Sequence, residues 1–542
     1  MIPPILPPLP NDSPPSDSAH SPFGTPAFRL KVMIAFVLLF GFILWNNVFV
    51  KDSADRTAKD DRAKLYVEAL TATKGAYAFR DYSKTYGLAQ HLSDNDRAIK
   101  RENRDVIKRW KQLAESPRAS AGDWRRLGIV QHTFGNAKDG AKSLDKAAEL
   151  STKPRTKKER DQFETPPYLP IAKTAIVERE FWQRIYGAET TKPSKLTPLE
   201  AKRLLSELKP YRLGWFDHLV ARQIYLASND SPSAVAEKSA ALESCHQIAL
   251  NNNLRVILIL WGLVALIWYG IKALVKRTKR KALRSDVMDI PNFPVLPNTF
   301  SYRARVIAFL SYLIIPVLLI IPLMFARGLL VSASAVNLMR AQTILYLIFS
   351  FATVGFALWI MNRLPNREGE SGGFRREKSV LQRIGLGSKE PLGEVLRGIH
   401  GYGMAMVVML VAVGISSLLF SRFKTPSHPI VYELLVMQTF LDRVLMFLQV
   451  AVAAAITEEI MFRGVLYPAF RERFGVVGGI TITSALFALA HPTLPGGFLP
   501  LMALGAAFNI AYEKRGSLLP GITMHALNNG MLILAEFAVM AS

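Results

Sequence analysis

The hydrophobic residues of this chain are gathered into long apolar runs, most of them in its second half. After an early run at 32–50, further runs lie at 254–275, 306–325, 343–361, 404–420, 440–467, 476–491, 498–512 and 518–540. Most are close to the roughly 20 residues that a helix needs to cross the hydrocarbon core of a bilayer. The pattern therefore predicts an all-α protein, a polytopic membrane helix bundle with about nine spans.

The region between the first two runs has a different pattern. Residues 51–253 hold no spanning run and have a polar, helical pattern, which predicts a soluble helical insert between spans 1 and 2. Part of this insert has the spacing of a tetratricopeptide-type helix pair, carried by Trp124, Leu127, Gly128, Gly135, Leu144, Ala147 and Pro154. An ordinary helical domain fits the pattern equally well. Either interpretation predicts a binding or docking role, because no catalytic cluster occurs there.

Charge gives the predicted helices an orientation. The formal net charge is +24, and basic residues follow the second run at 276–281 and the fourth run at 363–383. Under the positive-inside rule these loops are cytoplasmic. The N-terminus is therefore predicted to be cytoplasmic, with residues 51–253 and the C-terminus on the other side. No nucleic-acid recognition module is evident, so the basic balance predicts no nucleic-acid partner.

Composition divides the chain into five parts. Residues 1–28 are a Pro/Ser-rich tail that is predicted to be disordered. Residues 29–50 predict an uncleaved signal anchor, because no small-residue cleavage site follows the apolar run. The helical insert at 51–253 comes next, then spans 2–4 with basic cytoplasmic loops at 254–395, and finally a core at 396–542. The single cysteine, Cys245, excludes an intrachain disulfide and a thiolate metal cluster.

The last part contains ionisable residues inside apolar runs, which are costly in a membrane and are functional candidates by default. Glu459 and Arg463 are four residues apart, so they share a helical face and are predicted to pair. Glu458 points about 100° away from Glu459 on a helix. Its free carboxylate suits a general base for the attack of water on a carbonyl group. Glutamates that only anchor a helix end are the alternative interpretation.

Two histidines and a carboxamide complete this set. His491 is a candidate to share and orient the water with Glu458. His525 and Asn529 share a helical face and are suited to holding the oxyanion of a tetrahedral intermediate, with Asn528 as a second choice. The alternative for His491 is a helix-end imidazole that faces lipid headgroups, and the alternative for His525 and Asn529 is interhelical hydrogen bonding. Two histidines and a glutamate also match a zinc site in ligand type, and their spacing leaves that interpretation open.

These residues resemble the CPBP family of intramembrane proteases, which includes the type II CAAX prenyl endopeptidases and the Abi proteins. The family pattern of Glu-Glu-x-x-x-Arg, Phe-x-x-x-His and His-x-x-x-Asn stands here as Glu458-Glu459 to Arg463, Phe487 to His491, and His525 to Asn529. The resemblance covers roughly residues 400–540. The signal anchor and the insert at 51–253 are additions to the family core.

The resemblance implies an intramembrane endopeptidase of a prokaryotic inner membrane. Glu458 and His491 would activate the water, His525 and Asn529 would form the oxyanion hole, and Glu459 and Arg463 would support the site. A metal-free, glutamate-type mechanism is favoured over a zinc-dependent one. The expected substrates are membrane-associated proteins or prenylated CAAX-type peptides, recruited by residues 51–253. A non-catalytic immunity or scaffold protein of the same fold is the alternative, and a transporter ranks last.

Overall fold

The described part of the chain is helical, with no strand among its residues. The computed structural model describes residues 54–85, 93–116, 119–135, 137–151, 175–187, 195–282, 300–329, 335–364, 379–423, 433–434, 437 and 439–541. The helices are α1 Ala54–Thr85, α2 Ser93–Ala114, α3 Ala121–Phe134, α4 Ala137–Ser151, α5 Ala175–Tyr186, α6 Pro198–Leu208, α7 Trp215–Ala227, α8 Ser231–Ala282, α9 Tyr302–Leu329, α10 Ala335–Arg363, α11 Val380–Arg383, α12 Pro391–Phe420, α13 Phe440–Phe447, α14 Ala454–Glu459, α15 Tyr467–Leu489, α16 Phe498–Arg515 and α17 Leu519–Met540. The predicted tail at 1–28 and signal anchor at 29–50 lie outside the described residues.

Helices α1 to α7 and the start of α8 form an N-terminal helical domain with an aromatic core. Trp110, Trp182 and Phe216 are almost completely buried in one cluster. The α3–α4 pair lies where the repeat-like spacing predicts two packed helices. A Cβ at Gly128 would lie 2.6 Å from Cγ of Leu144, so only glycine permits this close approach. The helix pair is observed, whereas its assignment to the tetratricopeptide class stays a prediction.

Helix α8 connects this domain to the membrane bundle without a break. Its first turns carry Ala241 and Cys245 into the core of the N-terminal helical domain. Further along, large apolar side chains such as Ile257 and Trp268 are more than half exposed, as expected of a helix surrounded by lipid. The boundary predicted at 253 therefore falls inside one continuous helix, and the connection between the two parts is stiff.

Five helices among the described residues are long and apolar enough to span a membrane: Ser231–Val275, Met339–Arg363, Pro391–Phe420, Phe440–Leu489 and Leu519–Met540. The protein is an integral membrane protein on this evidence. The total of about nine spans is not confirmed, because α9 and α16 are outside this set and the predicted anchor lies outside the described residues.

The stretch Phe440–Leu489 folds back on itself at Gly475. This glycine has φ 70° and ψ −179°, which interrupts the helical path. The rings of Phe462 and Phe487 are 5.2 Å apart, although a straight helix would separate residues 25 positions apart by about 37 Å. The helical segments before and after Gly475, here called the first and second limbs, are therefore antiparallel and occupy the positions predicted for the spans at 440–467 and 476–491.

The first limb contains two π-helical segments, Leu448–Ala453 and Ile460–Leu466, on either side of α14. A π segment loosens the regular hydrogen-bond ladder and redirects the side chains that follow, and such segments occur frequently at functional sites. Glu458 and Glu459 are the last two residues of α14, so the two glutamates lie directly before the second π segment.

Ion pairs mark one end of the bundle. Glu513 accepts hydrogen bonds from Tyr467 (2.6 Å) and Arg471 (2.6 Å to Nη2), and Glu394 pairs with Arg515 at 2.6 Å. Both carboxylates are almost completely buried. At the opposite end, the last turn of α17 packs against the N-terminal helical domain. The two ends of the bundle are thus chemically distinct.

Candidate active site

Glu459, Arg463 and His525 form a buried trio inside the bundle. Arg463 donates to Glu459 Oε1 at 2.9 Å, as the four-residue spacing predicts. Its other terminal nitrogen donates to the carbonyl oxygen of Gly505 at 3.0 Å. The side chains of Arg463 and Glu459 are 0% exposed. Such a buried charge needs its partner, because the surrounding medium offers little solvation.

Aromatic rings enclose the same group of charges. The guanidinium of Arg463 lies 4.5 Å from the ring centroid of Phe487 and 4.9 Å from that of Phe508. The imidazole of His525 stacks on Phe508 with a centroid distance of 5.2 Å and meets the edge of Phe487 at 5.7 Å. Cation–π attraction and stacking fix both side chains in place and leave them little rotational freedom.

His525 is held between the two glutamates. Its Nδ1 lies 3.0 Å from Glu459 Oε1, and its Nε2 lies 3.9 Å from Glu458 Oε2. An ionised carboxylate only accepts hydrogen bonds, so the geometry assigns a proton to Nδ1. Glu459 therefore orients the ring, and Nε2 is directed toward Glu458.

Glu458 has surroundings unlike those of its neighbour. Its side chain is 21% exposed, whereas that of Glu459 is fully buried. Its Oε2 has no hydrogen-bond partner among the described residues. Glu459 is fixed through Oε1 by an arginine and a histidine, although its Oε2 likewise has no partner among the described residues. Glu458 differs in its partial exposure, and its buried Oε2 is an acceptor that a water or a substrate group can fill.

Two tyrosines near Glu458 were not found by reasoning from the sequence. Tyr312 of α9 is hydrogen-bonded to Thr457, and both Tyr312 and Tyr346 of α10 interact electrostatically with Glu458. Tyrosine is common in apolar helices, so no sequence signal separates these two from the others. Both phenolic groups therefore belong to the surroundings of Glu458.

His491 lies just beyond the end of α15. Its Nδ1 is 2.8 Å from the carbonyl oxygen of Phe487, and its ring lies 4.8 Å from the ring of Phe487. Because His525 meets the edge of that ring too, the two histidines flank one phenylalanine. The turn at Gly475 brings His491 back toward α14. A water shared by His491 and Glu458 stays a prediction.

Asn529 is tied to the first π segment. Its Nδ2 donates to the carbonyl oxygen of Val450 at 2.9 Å, and its Oδ1 accepts from Asn528 at 3.1 Å. Tyr402 in turn donates to Asn528 Oδ1 at 3.4 Å. Asn529 shares a face of α17 with His525, four residues before it. In this structure the Asn529 amide is engaged with backbone, and an oxyanion contact requires that it be shared or exchanged.

The site lies nearer one end of its helix than the other. His525 is six residues from Leu519 and fifteen from Met540, which corresponds to about 9 Å and 22 Å along the axis. The nearer end is the one that bears the ion pairs of Glu394 and Glu513. Among the residues that the structure describes, no group of three or more His, Cys, Asp or Glu side chains is arranged to hold a metal ion.

Comparison with known proteins bears on this segment. Residues 440–531 match the family model described as Type II CAAX prenyl endopeptidase Rce1-like. The match contains Glu458, Glu459, Arg463, His491, His525 and Asn529. The resemblance predicted from the three motifs is thereby confirmed, and the chain carries an Rce1-like domain of the CAAX protease type.

One curated relative is an uncharacterized 24.3 kDa protein of Escherichia coli, 30% identical over 125 residues. The matched segment covers 22% of this chain and 56% of the relative. The chain thus spans little more than half the length of that protein. No solved structure matches the chain significantly. The comparisons offer no support for the Abi or tetratricopeptide assignments, which stay predictions.

Proposed function

We propose that the protein is an intramembrane endopeptidase that uses Glu458 to activate water. One observation carries this proposal: Oε2 of Glu458, a buried acceptor without a hydrogen-bond partner among the described residues, lies 3.9 Å from Nε2 of His525, and Nδ1 of His525 is held by the Glu459–Arg463 pair. A free carboxylate beside an oriented imidazole supplies a general base and a hydrogen-bond donor at one place. The Rce1-like match supports peptide bonds as the target.

In this mechanism Glu458 takes a proton from water as the water oxygen bonds to the scissile carbonyl carbon. His491 orients that water. The tetrahedral intermediate carries its charge on oxygen, near His525 and Asn529. Collapse breaks the carbon–nitrogen bond, and Glu458 returns the proton to the leaving amine. General base catalysis of this kind contributes about 10²–10⁴-fold to the rate.

We assign the site to the cytoplasmic half of a prokaryotic inner membrane. The charge pattern puts residues 51–253 and the C-terminus outside, and the contact between the end of α17 and the N-terminal helical domain supports their common side. The substrates are membrane-associated proteins or CAAX-type prenylated peptides, and residues 51–253 recruit a protein partner. The mechanism is metal-free, since Arg463 already balances Glu459 and makes that carboxylate a poor metal ligand.

The test is a comparison of new protein termini in the native cell. Cells that carry the wild type are compared by mass spectrometry with cells that carry Glu458→Gln, which keeps the shape of the side chain and removes its basicity. A matched control is Glu433→Gln, the same substitution in the same region of the chain but at a glutamate outside the candidate active site. We expect a set of termini that is present with the wild type and the control and absent with Glu458→Gln. Identical sets in all three strains would sink the proposal and favour a non-catalytic scaffold or immunity protein.

A further inference from the structure

Helix α17 links the candidate active site to the N-terminal helical domain. Its first half carries His525 and Asn529, and its last turn is buried under the domain. Ala538 and Val539 are only 6% and 5% exposed, and Val539 belongs to the same apolar cluster as Trp110 and Trp215. A displacement of the domain must therefore act on the helix that bears two of the proposed catalytic side chains.

Lys74 of α1 anchors the C-terminal end of α17 by hydrogen bonds. Its side chain is completely buried, and its Nζ donates to the carbonyl oxygens of Ala538 (3.4 Å) and Ala541. The last carbonyls of a helix lack partners within the helix and carry partial negative charge. A buried ammonium group from another element satisfies both needs. Nζ also lies 5.7 Å from the ring centroid of Trp215, inside the domain.

A second set of hydrogen bonds that anchors α17 lies close to Asn529. Arg255 Nη2 and Asn251 Nδ2, both from α8, donate to the carbonyl oxygen of Met531 at 2.6 and 3.3 Å. Met531 is two residues beyond Asn529 on α17. Because α8 begins in the N-terminal helical domain and continues into the bundle, it transmits the position of the domain to this carbonyl.

An electrostatic contact and then hydrogen bonds lead from this point into the site. Tyr402 interacts electrostatically with Arg255 and donates to Asn528, Asn528 donates to Asn529, and Asn529 donates to Val450 in the first π segment. Asn529 is thus set by the axial position of α17 relative to its neighbours. A helix shift of about 1 Å is enough to cost about 10²-fold in rate when it misplaces a catalytic group.

Resting on the proposed function, we infer that Lys74 and Arg255 are positioning residues that hold α17 so that His525 lies beside Glu458 and Asn529 lies against the first π segment. They touch neither substrate nor reacting atoms. The N-terminal helical domain is then part of the catalytic apparatus as well as a recruitment surface. A partner that shifts the domain changes turnover through α17.

The experiment uses the full chain in lipid nanodiscs with Lys74→Met and Arg255→Met, which keep the length of the apolar stem and remove the donors. Arg255→Lys keeps a cationic donor, and Lys64→Met and Lys272→Met change lysines on the same two helices that make no such contact with α17. Hydrolysis of a fluorescence-quenched farnesylated CAAX peptide gives kcat and KM. Hydrogen exchange, followed by mass spectrometry, reports on residues 519–531.

We expect Lys74→Met and Arg255→Met to lower kcat by about tenfold or more with KM within about twofold. Exchange at 519–531 should become faster in both, Arg255→Lys should recover most of the loss, and the two control variants should behave as the wild type. Wild-type kcat together with wild-type exchange in both variants would overturn the inference. If Lys74→Met unfolds the N-terminal helical domain, exchange will be fast throughout α1 to α7. In that case the kcat and the exchange of Arg255→Met alone test the inference.

Failure of the proposed function gives a different result. In that case the wild type and Glu458→Gln hydrolyse the peptide equally poorly. The hydrogen-exchange data alone then test whether Lys74 and Arg255 hold α17 in place. Faster exchange at 519–531 in both variants then supports the hold on α17, and unchanged exchange contradicts it.

Discussion

Adjacent glutamates in this site should fail in opposite ways when they are neutralised. Glu459 is fully buried and accepts hydrogen bonds from Arg463 and His525, at 2.9 and 3.0 Å. Glu458 is 21% exposed, and its contact with Nε2 of His525 is longer, at 3.9 Å. Glu459→Gln removes the counter-charge of a buried guanidinium, whereas Glu458→Gln removes a base with this one long ion-pair contact.

The magnitudes follow from these surroundings. Breaking a buried ion pair from one side costs about 3–5 kcal/mol, because the remaining charge is left uncompensated. Loss of a long ion-pair contact at a partly exposed position changes the free energy of unfolding by about 0–1 kcal/mol. We therefore expect Glu459→Gln to unfold far more easily than Glu458→Gln, while Glu458→Gln loses hydrolysis by about 10²-fold or more and keeps near-wild-type stability.

The assay is denaturant unfolding in mixed micelles, followed by circular dichroism, beside a cleavage assay on the same preparations. Glu459→Gln combined with Arg463→Met should be less destabilised than the sum of the single changes, because the double variant buries no unpaired charge. Equal destabilisation by Glu458→Gln and Glu459→Gln would refute the conclusion that Glu459 stabilises the fold and Glu458 serves as the base.

Three further outcomes are expected. Gly521→Ala should lower both stability and hydrolysis, since a Cβ there would lie 2.8 Å from Glu459 Oε2; wild-type values would contradict the packing. Burial lowers the pKa of Lys74 from 10.5 to about 8 and raises the pKa of Cys245 from 9.0 to about 11. Between pH 8 and 9 the unfolded state binds more protons at Lys74 than the folded state does, so the free energy of unfolding should rise with pH. Above pH 9 the folded state binds more protons at Cys245 than the unfolded state does. The two effects then cancel, and the free energy of unfolding should level off. Cys245→Ala should extend the rise toward pH 10, and a curve unaffected by this substitution would argue against the burial of both groups. Zinc chelators should leave hydrolysis unchanged after prolonged dialysis, and a loss restored by zinc would establish the metal-dependent version.

Local spacing was sufficient to predict some features of this protein. The pairing of Glu459 with Arg463 depends only on helical geometry over four residues, so the sequence contained all that was needed. The limbs on either side of Gly475 were predictable as well, because their apolar runs are separated by a polar stretch with charged residues. Motif order was specific enough to identify the Rce1-like domain.

Contacts between helices that are far apart in the sequence could not be predicted from local spacing. The bond between His525 and Glu459 joins residues 66 positions apart, and periodicity says nothing about which of two neighbouring glutamates a third helix will meet. The same holds for Tyr312 and Tyr346 beside Glu458. The hold of Lys74 on the end of α17 joins residues more than 460 positions apart, and a lysine in a polar helix carries no sign that it will be buried.

The most direct test of the account is hydrolysis in ¹⁸O-labelled water. A peptide that spans a cleavage site mapped in native cells is incubated with the purified protein in nanodiscs, and the products are weighed by mass spectrometry. We expect one ¹⁸O atom in the new carboxylate with the wild type and at least about a 10²-fold slower reaction with Glu458→Gln. Cleavage by Glu458→Gln at the wild-type rate would contradict the central claim that this carboxylate activates the water.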